Sequence, residues 1–187
     1  MNLTPWYDIY RERMNESYTN HVANKYATFI QAIISERRVT DLTEVGCGAG
    51  NITKILRQIK GGEGYVYNLI DSCPKMLSLA MENNASPECN FKCADVREVV
   101  QSDVDLVHSH GLLEHFDDAS IRHIVKMCRM AAPVQIHYVP GARYEKPSRG
   151  DERLMEPGQW RDILSGLGKV LVYTFNDEHD LIIRLER

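Results

Sequence analysis

No stretch of this 187-residue chain holds 18 consecutive apolar residues, so no membrane-spanning helix is expected. No basic and apolar leader pattern opens it at MNLTPWYDIY, and a cytoplasmic location is therefore the expectation. Basic charge is not in excess: 22 Lys and Arg stand against 26 Asp and Glu, for a net charge of −4. That balance argues against a protein built to grip a nucleic-acid backbone. The five cysteines (Cys47, Cys73, Cys89, Cys93 and Cys128) are odd in number and contain no CxxC. They read as reduced thiols, not as a disulfide framework. Cys89 and Cys93 lack a second pair of soft ligands, so no metal is expected there. Repeats, low-complexity segments and interdomain linkers are also missing. What remains is the composition of one ordinary globule, 43% hydrophobic and 26% charged.

Within that globule the periodicity changes near residue 39. Before it, Tyr18, Val22, Tyr26, Phe29, Ile30, Ile33 and Ile34 fall on one helical stripe, preceded by the aromatic segment WYDIYRERM. Residues 1–38 are expected to form a helical cap and 39–187 the main domain. From 39 onward, short β-rich runs alternate with helical patterns: VTDLTEVG, NITKILRQIK, GYVYNLID, PKMLSLAMENN, NFKCAD, VDLVHSHG, DASIRHIVKMCRMA and PVQIHYVP. Steady alternation of this kind predicts an α/β fold, a parallel sheet with helices on both faces. KGGEG at 60–64, Pro74 and Pro133 punctuate it as helix ends and starts should. PGQWRDILSGLG then predicts one more helix, and KVLVYTFNDEHDLIIRLER an antiparallel hairpin.

The stretch TEVGCGAGNIT, residues 43–53, carries the chemistry. A dinucleotide turn would read GxGxxG; here Gly46 and Gly48 fit, Asn51 holds the third place, and Gly50 comes one residue early. Glu44 lies two residues ahead, where it would repel a pyrophosphate but suit a cationic ligand. The competing reading is a tight turn that needs glycine only for its dihedral angles. Asp71 closes the second strand, where a carboxylate can accept from both hydroxyls of a ribose. A loop acid that merely caps the next helix is the alternative there.

EVGCGAGNIT, LIDSCPKML, CADV and DLVHSHGLLEHF, in that order, resemble the segments of class I S-adenosylmethionine-dependent methyltransferases. The resemblance runs from about residue 40 to the end of the chain. It implies a Rossmann-like, seven-stranded, mostly parallel sheet with helices on both faces and a C-terminal antiparallel β-hairpin, and S-adenosyl-L-methionine as cofactor. Glu44, Gly46, Cys47, Gly48 and Gly50 would then hold the methionine end. Asp71 would take the ribose, Ser72 and Met76 would flank the adenine, and Asp95 with the backbone of Val96 would read its amino edge. His110 and Gly111 would line the space beside the transferred methyl.

Methyl transfer needs alignment and, for a hydroxyl or amine acceptor, removal of a proton. His110, Glu114 and His137 are the candidate catalytic groups, and His108, deeper in its strand, is expected to be structural. Related enzymes that use a divalent metal carry ExxEH at this place; here Gly111 replaces the first acid, so no metal is expected. The Pro-Pro-aromatic motif of base N-methyltransferases and the paired glutamates of protein arginine methyltransferases are both missing. The expected acceptor is therefore a small molecule methylated on O or N, with Tyr7, Tyr10, Arg143, Tyr144 and Arg153 at its rim. A non-catalytic methyltransferase-like subunit and an RNA methyltransferase remain the alternatives.

Overall fold

The computed structural model describes residues 7–8, 17–59, 64–98, 103–144 and 151–187. Most of WYDIYRERM, Tyr10 and the turn at 60–63 fall outside them. Of residues 1–38, Ser17–Arg37 form helix α1. Its stripe is the reason: Val22, Tyr26, Ile30, Ile33 and Ile34 are all buried against the sheet.

Seven strands follow: β1 (Asp41–Val45), β2 (Val66–Asp71), β3 (Cys89–Cys93), β4 (Leu106–His110), β5 (Val134–Pro140), β6 (Lys169–Phe175) and β7 (Asp180–Glu186). They form one sheet in the order β3-β2-β1-β4-β5-β7-β6. The first five are parallel, and β7 runs antiparallel between β5 and β6. Helices α2 (Asn51–Gln58), α3 (Pro74–Asn83), α4 (Asp118–Ala131) and α5 (Pro157–Ile163) lie between the strands in sequence. No helix links β3 to β4 among the described residues.

Local chemistry fixes these boundaries. Asp117 caps α4 by accepting from the Ser120 N–H at 2.7 Å. Pro74 and Pro157 start α3 and α5, where a missing N–H costs nothing. Helix α2 is capped differently, from the strand before it: Glu44 accepts from the Thr53 N–H and hydroxyl at 3.2 and 2.5 Å.

Alternation along each strand divides the core into two layers. Leu42, Leu69, Leu106, Ile136, Tyr138 and Ile182 face α1, α2 and α3. Val45, Ile70, Val107, Val139, Leu181 and Ile183 face α4 and α5. Strand β5 is buried on both sides along its whole length, as its unbroken VQIHYVP pattern suggested. Each fully buried Leu or Ile here stabilises the fold by about 1.5–3 kcal/mol.

Candidate active site

The carboxyl ends of β1, β2, β4 and β5 meet at one edge of the sheet, and the glycine turn leaves β1 there. Gly46, Gly48 and Gly50 all have positive φ (64, 55 and 69°). Space is as restrictive as the dihedrals. A Cβ on Gly46 would lie 2.6 Å from Leu112 Cδ1, and one on Gly50 would lie 2.5 Å from Asn84 Nδ2. The turn is also tied down. Asn83 and Asn84, at the end of α3, donate to the carbonyls of Ala49 and Gly50, both at 3.0 Å. Cys47 buries its thiol, and burial pushes its pKa up.

Asp71 accepts from the Gly48 N–H through Oδ2 and from the Cys73 N–H through Oδ1, both at 2.8 Å. A carboxylate offers about four lone-pair sites, so two remain for the hydroxyls of a ribose. Burial raises its pKa, against which the two N–H donors act. Met76 is buried, with Cε 3.4 Å from where Gly48 would carry a Cβ, and Ser72 is exposed beside it. Asp95 forms an ion pair with Arg97 that holds its carboxyl below the usual range, and Val96 is buried next to it. Tyr7 lies over α3, its ring centroid 5.2 Å from Lys75 Nζ.

Glu44 lies beneath the glycine turn. Its carboxyl is buried there as the cap of α2, and burial lifts its pKa to about 7.

On the β4 side, His110 stacks flat on Tyr138, its partner in the parallel register, with ring centroids 4.1 Å apart and planes 5° from parallel. Tyr26 of α1 lies 5.3 Å from the same imidazole and donates its hydroxyl to the carbonyls of Ser109 (2.8 Å) and Ile136 (3.0 Å). Desolvation holds His110 neutral, with its pKa lowered to about 4. Gly111 turns the chain at φ 69° into the 3-10 turn Leu113–His115. Glu114, in that turn, is buried, and burial raises its pKa to about 8. The segment after β5 clamps this turn. Arg153 donates its backbone N–H to the Glu114 carbonyl at 2.9 Å, and His115 pairs with Asp151 at 2.7 Å. Arg153 also reaches the Phe116 carbonyl and Asp118, and Arg143 pairs with Glu178.

His137 does not join His110 and Glu114. Its side chain points to the opposite layer, where Nδ1 meets Ser109 Oγ at 2.9 Å and Nε2 meets Gln135 Oε1 at 3.2 Å. With both nitrogens engaged and its pKa lowered to about 3 by burial, it is a core residue here, which corrects the expectation of a base at 137. The reason is the period of two along β5, which turns Tyr138 to the site and its neighbour away. His108 is buried within its strand, as expected. Sequence reasoning missed Tyr26, whose hydroxyl joins β4 to β5, and Asp180, at the start of β7. Neither belongs to a motif. Among the described residues no group of three or more His, Cys, Asp or Glu could hold a metal ion, and all five cysteines are free. No described helix is long and apolar enough to cross a membrane.

Residues 43–133 match the family model described as a methyltransferase domain. That match covers just under half of the chain and takes in the glycine turn, Asp71 and His110. Two curated relatives are both named trans-aconitate 2-methyltransferase. The protein from Enterobacter sp. (strain 638) is 34% identical over 95 residues, 49% of this chain and 36% of its own. The one from Klebsiella pneumoniae (strain 342) is 27% identical over 158 residues, 72% of this chain and 58% of its own. The chain thus spans about a third to three-fifths of the length of these relatives. Magnesium protoporphyrin IX methyltransferase from Synechocystis, solved with bound S-adenosylhomocysteine, shares the fold: TM-score 0.70 at 14% identity, over 97% of this chain and 92% of that one. The chain places its glycine turn, Asp71 and His110 along one edge of the sheet, where ligands bind in open α/β folds.

Proposed function

We propose that this chain is an S-adenosyl-L-methionine-dependent methyltransferase of the cytoplasm that methylates a small-molecule acceptor on oxygen or nitrogen. One observation carries the reading. The turn at 46–50 has no room for side chains at Gly46 and Gly50, and its Gly48 N–H orients the Asp71 carboxylate, which keeps lone pairs for a ribose. Bound there, the cofactor would supply an electrophilic methyl group on a sulfonium. Glu44, Gly46, Cys47, Gly48 and Gly50 would form the bed of the methionine end. Asp71, Ser72, Met76, Asp95 and Val96 would hold the adenosine.

The chain's own part in the chemistry lies at β4. His110, neutral at physiological pH, can accept a proton from an acceptor hydroxyl or amine through Nε2. Tyr138 fixes the ring plane, and the Arg153 N–H holds the turn that carries Glu114 just after His110 in the chain.

Calorimetry with S-adenosylhomocysteine tests the donor half. Tritium transfer from labelled S-adenosylmethionine into metabolite, RNA and protein fractions tests the acceptor half. Label in the metabolite fraction is the expected result. Label in RNA alone overturns the small-molecule reading, and binding without any transfer points to a non-catalytic subunit.

A further inference from the structure

Three buried polar atoms at the β4–β5–β7 end of the sheet have no hydrogen-bond partner: His110 Nε2, Glu114 Oε2 and Asp180 Oδ1. Leaving such a group unpaired costs about 1–3 kcal/mol, and native chains keep one where a ligand or the chemistry uses it. Asp180 is fully buried and Glu114 is 2% exposed.

The three groups are neighbours. Asp180 is the register partner of Pro140, so it shares a sheet face with Tyr138, and the Tyr138 hydroxyl bonds its carboxyl. The other side of the Tyr138 ring carries the His110 stack. Glu114 Oε1 stands 3.4 Å from where Gly111 would carry a Cβ, directly after His110. Asp180 is also among the charges that make Glu114 harder to ionise.

All three atoms can accept a hydrogen bond, and the nearby cations are committed elsewhere. Lys25 Nζ bonds Asn176 Oδ1 at 3.3 Å while acting on Asp180 only at longer range. Arg143 pairs with Glu178, and Arg153 with Asp118 and the Phe116 carbonyl. Among the described residues, an acidic ligand would meet two buried carboxyl groups and a lysine, Lys25, already bonded to Asn176. Glu114 holds a proton at neutral pH, so a basic ligand that takes it up would leave the carboxyl groups as acceptors for its own N–H donors.

Resting on the methyltransferase reading above, we propose that Glu114 and Asp180 form the subsite that recognises an amino group on the methyl acceptor. The ammonium so formed brings N–H donors for the two carboxyl groups. The acceptor class is thus amine-bearing, unlike trans-aconitate, the carboxylate after which the two curated relatives are named.

The test is titration of the protein at pH 7 with benzylamine, benzyl alcohol and benzoate, with and without S-adenosylhomocysteine. Benzylamine should bind at least about tenfold tighter than the alcohol, and benzoate weakest. Glu114→Gln and Asp180→Asn should each weaken benzylamine about tenfold and leave S-adenosylhomocysteine affinity unchanged, since neither touches the glycine turn. If one variant fails to fold, as a melting curve would show, the other decides. Benzoate binding as tightly as benzylamine, no binding of any of the three probes, or variants that leave benzylamine unaffected would overturn the subsite. Loss of S-adenosylhomocysteine binding by the wild-type protein would instead count against the methyltransferase reading alone.

Discussion

The two halves of the active edge differ in how their polar groups are satisfied. On the β1–β2 side the groups that shape the turn are bound within the protein: Asp71 takes two N–H groups, two asparagines hold the turn through Nδ2, and Glu44 caps α2, while Thr43 Oγ1 and Asn84 Oδ1 keep no partner. On the β4–β5–β7 side, His110, Glu114 and Asp180 each keep one buried atom with none. The first half is a rigid mould made largely of backbone, as suits a ligand that never changes. The second stores unsatisfied side chains, as the proposed acceptor side would.

The largest effect that would break this contrast comes from the mould. Gly50→Ala forces a side chain to φ 69° and against Asn84 and Leu69, which should cost about 2–5 kcal/mol of stability and more than about a hundredfold in S-adenosylhomocysteine affinity. Denaturant midpoints and calorimetry measure both. A variant that folds and binds normally would show that the turn adapts and is no mould. Asp71→Ala comes next: charge-assisted hydrogen bonds of about 1.5–3 kcal/mol each predict at least a tenfold loss of cofactor affinity. Unchanged affinity would leave Asp71 as a mere clip for Gly48.

A third test sharpens the other half through pH. Glu114 titrates at about 8 when folded against 4.5 when free, so between those values the folded state holds a proton that the unfolded state has lost. Stability must therefore fall as pH rises through that window. The urea midpoint should drop between roughly pH 6 and 8.5, and less steeply in Glu114→Gln. On the acid side the sign reverses. His108, His110 and His137, lowered from 6.5 to about 3, 4 and 3, stay neutral while the unfolded chain protonates, so stability is lost as pH falls below 6.5. Equal alkaline slopes in wild type and Glu114→Gln would remove the claim that this carboxyl is buried and unpaired. The smallest functional effect belongs to His137→Ala. It should destabilise by about 1–3 kcal/mol through its lost buried hydrogen bonds, yet leave cofactor affinity and turnover per folded molecule within about twofold. A large drop in turnover with affinity intact would bring His137 back to the site.

The same contrast explains what could be read before any coordinates. The mould lies in continuous sequence: TEVGCGAGNIT and LIDSCPKML state the turn, the strand end and the acid in order, because backbone geometry restricts which residues fit. The strand and helix alternation stated the fold for a similar reason, with hydrophobic period and turn residues agreeing. The acceptor half was only partly visible. His110 and Glu114 stand together beside Gly111, but which of His137 and Tyr138 faces the site depends on strand phase, and both are buried in a run apolar on either side. Asp180 lies 66 positions beyond Glu114 and meets it only through the insertion of β7 beside β5. Tyr26 was visible as a core residue, but its hydroxyl bridge between two strands depends on where α1 crosses the sheet.

The place of β7 has a consequence for the growing chain. Strand β6 is made first yet pairs with nothing but β7, and the free edge of β5 stays open until residues 180–186 arrive to fill it. Strands β1 to β5 and the helices around them can assemble while the ribosome is still at work, since each finds its neighbours among residues already made. Asp180 enters with the last strand. Under the proposed function, a nascent chain would have its donor mould complete before the seat proposed for the acceptor exists, and the order of synthesis would match the order in which the two halves become able to bind.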